Sequence, residues 1–290
     1  MTTLISILLI TGLAVLLASA AAGFGAILVG VGRQPLSAIG PAPPAVTNAS
    51  AILQRGSDSG LLAAFALLLG ALAVRAILIG HAPWSNLHEF SLAFAAALIG
   101  THLMMGRAHA LEGLAPLTAF LAAGLVIFAL GLDNRVDPLV PALQQPLLLT
   151  IHVGSAVLAY AVSGVGFVAA AAEIGQARSG DRIPLLPPAG AARAIGHRAV
   201  LIAFPILTIA IALGSVWAHL AWRTYWSNDP KELAAAATWL VFGAYLHVAG
   251  RRDRWERLAP WLIVLGFAGV LFTYVGAGLF FIGEHSYAAP

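Results

Sequence analysis

Residues 199–220 read Ala-Val-Leu-Ile-Ala-Phe-Pro-Ile-Leu-Thr-Ile-Ala-Ile-Ala-Leu-Gly-Ser-Val-Trp-Ala-His-Leu, a run without a single Asp, Glu, Lys or Arg. At about 1.5 Å of rise per residue, such a run is long enough to cross a hydrocarbon core of about 30 Å as an α-helix. Working outward from it, seven more stretches pass the same test. The predicted spans lie at about 5–31, 60–80, 87–106, 110–131, 147–172, 199–220, 232–250 and 258–281. Composition agrees: 60% of the 290 residues are hydrophobic and 9% are charged, against roughly a quarter charged in a soluble domain. The chain therefore reads as all-α, a polytopic membrane helix bundle of about eight transmembrane helices forming one integral membrane domain over residues 1–290. The stretch 3–32 is too long for a signal peptide and lacks a basic lead-in, so it is expected to be the first span. The longest breaks, about 32–59 and 173–198, are rich in Pro, Gly and Ala.

The charges fall mostly in the breaks, which is a loop pattern and not a nucleic-acid patch. Their sign sets an orientation. With both termini outside, the inner loops hold Arg33 and Arg55; Arg107; Arg178, Arg182, Arg193 and Arg198; and Arg251, Arg252, Arg254 and Arg257, eleven of the fifteen basic residues. The outer side keeps Arg135, Arg223 and Lys231, and Arg75 lies within the second span. The connection at 220–232 is thus expected to face the periplasm or its equivalent. With no cysteine in the chain, any thiol chemistry belongs to a partner. The third, fifth and seventh spans carry the more polar faces and are expected to line the interior.

The segment that follows the opening run is the most unusual: Trp217-Ala-His219-Leu-Ala-Trp222-Arg-Thr-Tyr225-Trp226-Ser-Asn-Asp229-Pro-Lys-Glu232. An interfacial aromatic belt would also use Trp and Tyr, but a belt spreads over all helices. Crowding in the one stretch 217–232 favours a platform for a flat apolar ligand, with Arg223 and Lys231 able to meet acidic groups on its edge. His152 near the start of the fifth span and His285 after the eighth bracket this loop. Two neutral imidazoles approaching from opposite sides are what a haem iron takes axially; each alone could equally be an interfacial histidine bonded to water or a carbonyl. His247, about fifteen residues into the seventh span, is either a functional intramembrane imidazole or a snorkelling one near the Arg251 cluster.

The other histidines read more plainly. In Gly80-His81-Ala-Pro83-Trp84-Ser85-Asn86-Leu-His88-Glu89, Ser85 or Asn86 can cap the third helix and Glu89 can reach back to its start. His81 and His88 are expected to be structural, His102 to pack or hydrogen-bond, and His109 and His197 to be solvated loop residues.

Trp222-Arg-Thr-Tyr-Trp226-Ser-Asn-Asp229-Pro230-Lys231-Glu232, Thr238-Trp239-Leu-Val-Phe-Gly-Ala-Tyr245-Leu-His247, Gly80-His81-x-Pro83-x-Ser85-Asn86-Leu87-x-Glu89 and His285-Ser286-Tyr287 stand in the order of four motifs of one family. The sequence resembles the CcsA/ResC family of cytochrome c biogenesis proteins, the system II haem-handling proteins with a tryptophan-rich WWD loop. It departs from the pattern at Arg223, where the family has Gly, at Asn228, where it has Trp, and at His88, where it has Tyr.

The resemblance implies that His152 and His285 hold the iron of haem b at the outer face over Trp217, Trp222 and Trp226, with Asp229 and Glu232 in the same loop. It implies that His247 belongs to an earlier intramembrane haem site completed by a ResB/CcsB-like membrane partner. It further implies a multi-pass protein of the plasma (inner) membrane, surrounded by lipid, that serves as one subunit of a cytochrome c synthetase (haem lyase) complex. The substrate would be an apocytochrome c, with thiol-reducing proteins supplied separately and no nucleic acid involved. The alternative is a haem-binding carrier or regulatory membrane protein that forms no thioether bonds. An unrelated secondary transporter would fit the hydropathy but predicts helices broken at mid-membrane.

Overall fold

The computed structural model describes residues 2–31, 48–108, 111, 113–135, 146–250, 255, 257–281 and 283–285. His109, Arg33, Arg251, Arg252, Arg254, Ser286 and Tyr287 lie outside them. The described residues fold into helices alone: α1 Thr2–Val31, α2 Asn48–Ile79, α3 Leu87–Ala108, α4 Ala115–Leu130, α5 Pro146–Ser179, α6 Ala189–Trp222, α7 Pro230–Ala249 and α8 Ala259–Leu271. The α8 helix continues through a π-helical turn, Phe272–Gly276, into a last α-helical turn, Ala277–Phe280. Seven of these are long and apolar enough to cross a membrane. The fourth, with 16 residues, spans only about 24 Å, shorter than the 110–131 expected.

Three helices run well past their apolar stretches. The α2 helix starts at Asn48 and not near residue 60, and Gln54 Nε2 donates to Asp58 Oδ1 across one turn at 3.1 Å. The α5 helix reaches Ser179, and α6 begins at Ala189. The turn between them is tied down by buried Gln176, whose amide donates to the Ile183 and Leu186 carbonyls at 3.0 Å each. The break expected at 173–198 therefore shrinks to a short connection, and His197 sits within α6. There its Nδ1 lies 3.2 Å from the Tyr245 hydroxyl of α7, so it is not a loop residue.

The interior belongs to α3 and α5, whose spanning windows are 61% and 67% buried. The α7 window is only 22% buried, so the expectation that the seventh helix lines the interior is corrected; α8, at 44%, is the more central of the two. The charged residues of α7 stand in its first turn, and its few inward polar groups are Thr238, hydrogen-bonded toward Thr273, and Tyr245, which meets His197.

Caps form where the sequence offers them. Asn86 Oδ1 accepts the Glu89 N–H at 2.9 Å, and Glu89 Oε2 accepts the Ser85 N–H at 2.9 Å and the Ser85 hydroxyl at 2.7 Å. The other oxygen of Glu89 takes Arg75 Nε of α2 at 2.8 Å, an ion pair whose side chains are 1% and 7% exposed. This buried pair locks the turn carrying Trp84, Ser85 and Asn86 to α2. His88 and His102 are structural as expected: His88 Nδ1–H donates to the Ala129 carbonyl at 2.8 Å, and His102 Nδ1 lies 2.9 Å from the Thr118 hydroxyl.

Candidate functional site

The start of α7 is set by Asp229-Pro230-Lys231-Glu232. Asp229 accepts the Lys231 N–H at 2.8 Å, and Glu232 Oε2 returns to the Asp229 N–H at 3.1 Å and the Ser227 N–H at 2.8 Å. This capping box, with Pro at the first helical position, holds the end of the aromatic connection rigid. The beginning is held by Arg223, which ends α6 in the left-handed conformation, φ +63°. Asn228 is left-handed too, at φ +61°, and its Oδ1 accepts the Trp226 indole N–H at 2.9 Å. A residue tolerant of that backbone stands there, which gives the departure from Trp a local reason.

At this end of the bundle lies a cavity lined by α3, α5, α6 and α7, by the π-helical turn after α8 and by the connections 84–86 and 225–226. The cavity has a volume of about 200 Å³ and an open mouth. His152, His285, Trp217, Trp226 and Glu232 line it. Trp222 packs behind, its ring 4.8 Å from that of Trp217 and 4.9 Å from that of His285. Trp217, 2% exposed, contacts both imidazoles. The His152 ring stacks on it at 6.1 Å and 13°, and the His285 ring tilts against it at 5.8 Å and 43°.

Both imidazoles are oriented through Nδ1. His152 Nδ1–H donates to the Ala210 carbonyl of α6 at 2.9 Å, and His285 Nδ1–H donates to Asp229 Oδ1 at 2.8 Å. An axial bond to a metal would thus come from Nε2 of each, with the carbonyl and the carboxylate as the outer partners that fix ring direction. Two glycines make room. A methyl group on Gly214 would stand 2.7 Å from His152 Cε1, and one on Gly283 would stand 2.2 Å from Asp229 Oδ2. Burial disfavours the Asp229 charge, but the hydrogen bond and charge of His285, with the N–H groups of Lys231 and His285, pull its carboxyl down to about 2.

His247 is elsewhere. It is exposed in the last turn of α7, at the end of that helix away from the cavity. The sequence also left unmarked several lining residues, among them Phe90, Tyr160, Thr273 and Tyr274. The signal for Tyr274 is the π-helical turn that contains it; its hydroxyl is hydrogen-bonded to that of Ser91.

Fold and site together define a class: a polytopic membrane helix bundle with an aromatic cavity at one end, flanked by two imidazoles whose outer nitrogens are already bonded. Within that class, the chain belongs to the Cytochrome C assembly protein family, whose model matches residues 84–285. Among its relatives, the cytochrome c biogenesis protein CcsA of Synechococcus elongatus is 32% identical over 273 residues, 77% of this chain and 83% of that protein. The CcsA of Thermosynechococcus vestitus is 32% identical over 281 residues, 81% and 88% of the two chains. That of Chlamydomonas reinhardtii is 35% identical over 224 residues, 72% and 61%. These place the chain in the CcsA family, as the four motifs implied. Among solved structures, the cytochrome c haem lyase CcmF shares the fold, with a TM-score of 0.65 and 20% identity over 93% of this chain. The matched region is 46% of CcmF, so this chain spans under half of that protein.

Proposed function

We propose that this protein is the haem-presenting subunit of a cytochrome c maturation system, holding haem b between His152 and His285 over the tryptophan-rich connection while an apocytochrome c is joined to it. The observation that carries the reading is the pair of Nδ1-anchored imidazoles that share one apolar cavity and both contact Trp217. A flat apolar macrocycle fits walls of indole, phenol and aliphatic groups, and two imidazole nitrogens suit its iron. Haem supplies two vinyl groups. Each thiol of a Cys-x-x-Cys-His segment adds across one of them, sulfur to one carbon and hydrogen to the other.

This chain, without cysteine, contributes binding and orientation, while its cavity walls exclude water. Asp229 keeps His285 in the tautomer that presents Nε2, and Ala210 does the same for His152. The capping box keeps Asp229 itself in place. The exposed position of His247 on the outside of the bundle supports an intramembrane haem site completed by a ResB/CcsB-like protein. The distribution of Arg supports an orientation with the cavity on the periplasmic side.

The test supplies this chain and its ResB-like partner as the only maturation factors and measures haem that stays on cytochrome c after denaturation. Covalent cytochrome is expected with the native chain and loss of it with His152→Ala or His285→Ala, partly restored by added imidazole. A second reading, a haem carrier without thioether-forming activity, draws on the loop departures Arg223 and Asn228. It predicts haem bound to this chain and no covalent product in the same assay.

A further inference from the structure

We infer that Lys231 docks a carboxylate of the ligand that fills the cavity, and so sets the rotation of a haem about the axis joining its two imidazoles; this rests on the haem assignment above. Lys231 is the second residue of α7, and its N–H is held by Asp229 Oδ1. Its stem runs over the last turn following α8, where a methyl group on Gly278 would stand 3.8 Å from Cε and 4.0 Å from Nζ. The side chain is half-buried and lines the cavity.

Among the described residues, no hydrogen bond or ion pair reaches the Lys231 ammonium, and no other Lys or Arg lines the cavity. The nearby carboxylates are engaged elsewhere. Asp229 takes His285 and the Lys231 backbone, and Glu232 takes Ser227 and the Asp229 backbone. An ammonium drawn into an apolar wall, with the field of Asp229 but no direct bond to offset its desolvation, is costly, and a ligand that brings a carboxylate to it lowers that cost. The rest of the lining is aromatic, aliphatic or neutral polar apart from the two imidazoles and Glu232. The ligand class this describes is a flat apolar molecule with a carboxylate on one edge.

Arg223, the other cation of this connection, is exposed and not part of the lining. The structure thus separates two residues that the sequence offered as equals. On haem, the propionates lie on the edge away from the vinyl groups. A propionate held at Lys231 leaves the vinyl edge turned away from α7, toward an incoming thiol.

The experiment compares haem with haem dimethyl ester on the purified full-length chain, following affinity and the low-spin absorption bands. The native chain is expected to bind the ester roughly ten- to a hundredfold more weakly, the range of a charge-assisted hydrogen bond. Lys231→Met should bind haem more weakly and lose most of that preference while keeping the low-spin bands. Lys231→Arg should keep the preference, and Arg223→Met should behave as the native chain. Low-spin haem with an undiminished preference in Lys231→Met, or with no preference in the native chain, overturns this inference alone. A native chain that binds no low-spin haem overturns the proposed function with it.

Discussion

Gly214→Ala separates the site from the stability of the bundle. The added Cβ would lie 2.7 Å from His152 Cε1, 3.2 Å from Nδ1 and 3.5 Å from Nε2. Carbon atoms in contact prefer about 3.5–4.0 Å, so the ring must retreat by roughly 1 Å. Metal–ligand bonds tolerate about 0.2 Å, and the 2.9 Å bond from His152 Nδ1 to the Ala210 carbonyl would be strained by the same movement. The fold loses far less. Overpacking costs about 1–3 kcal/mol, and replacing glycine by alanine within a helix returns about 0.5–1 kcal/mol. The net cost is then roughly 0–2.5 kcal/mol. The assay is optical titration of purified protein with haem beside thermal unfolding of the same preparations. Gly214→Ala should unfold close to the native chain yet lose the low-spin spectrum, with added imidazole restoring it in part. Gly124→Ala, where an added Cβ meets nothing within 4 Å, serves as the control and should keep the spectrum. A native-like low-spin spectrum and affinity in Gly214→Ala would refute the reasoning.

Asp229→Asn should keep the α7 cap, since Asn caps about as well as Asp, yet weaken haem binding about ten- to a hundredfold, the usual effect of losing a partner behind a ligating histidine; circular dichroism checks the first half and haem titration the second. The Asp229 carboxyl, held at about 2, has a folded value below the unfolded value of about 3.9. Its contribution to stability is therefore present above the unfolded value and lost as pH falls through about 2. Infrared difference spectra against Asp229→Asn should accordingly show it ionised throughout pH 5–8. Arg75→Met and Glu89→Met should each destabilise by about 3–5 kcal/mol, because the partner is left charged and buried. The double variant should lose less than the sum, measured by thermal unfolding in one detergent.

The eight helices were legible because solvent dictates them: twenty apolar residues in a row have one stable use in a membrane. Their true lengths were not, since hydropathy reports the thickness of the lipid and not the reach of the hydrogen-bond ladder. Asn48–Gly60 is too polar to read as a span, yet it continues α2, with Ser57 buried against Ser19 of α1. The polar look of α7 misled for a related reason: its charge serves the Asp229–Glu232 cap and its imidazole lies at the far end, which leaves Thr238 and Tyr245 as its inward polar groups.

In the site, His152, His285 and the indoles were visible because such residues are costly in lipid and few. Gly214 was not, for its role is the absence of a side chain beside a ring 62 residues away in sequence. Arg75 and Glu89 were each noticed but not joined, since nothing local shows that α2 and α3 bring them together. Tyr160 and Tyr274, on helices remote in sequence, likewise meet the cavity only through packing.

The central claim is that His152 and His285 clamp one haem. Its most direct measurement is electron paramagnetic resonance of the purified, ferric haem-loaded chain. The native protein is predicted to give a single low-spin signal with two imidazole ligands, and His152→Ala and His285→Ala each to lose it for high-spin or singly ligated iron. A two-imidazole signal unchanged in either variant would contradict the account.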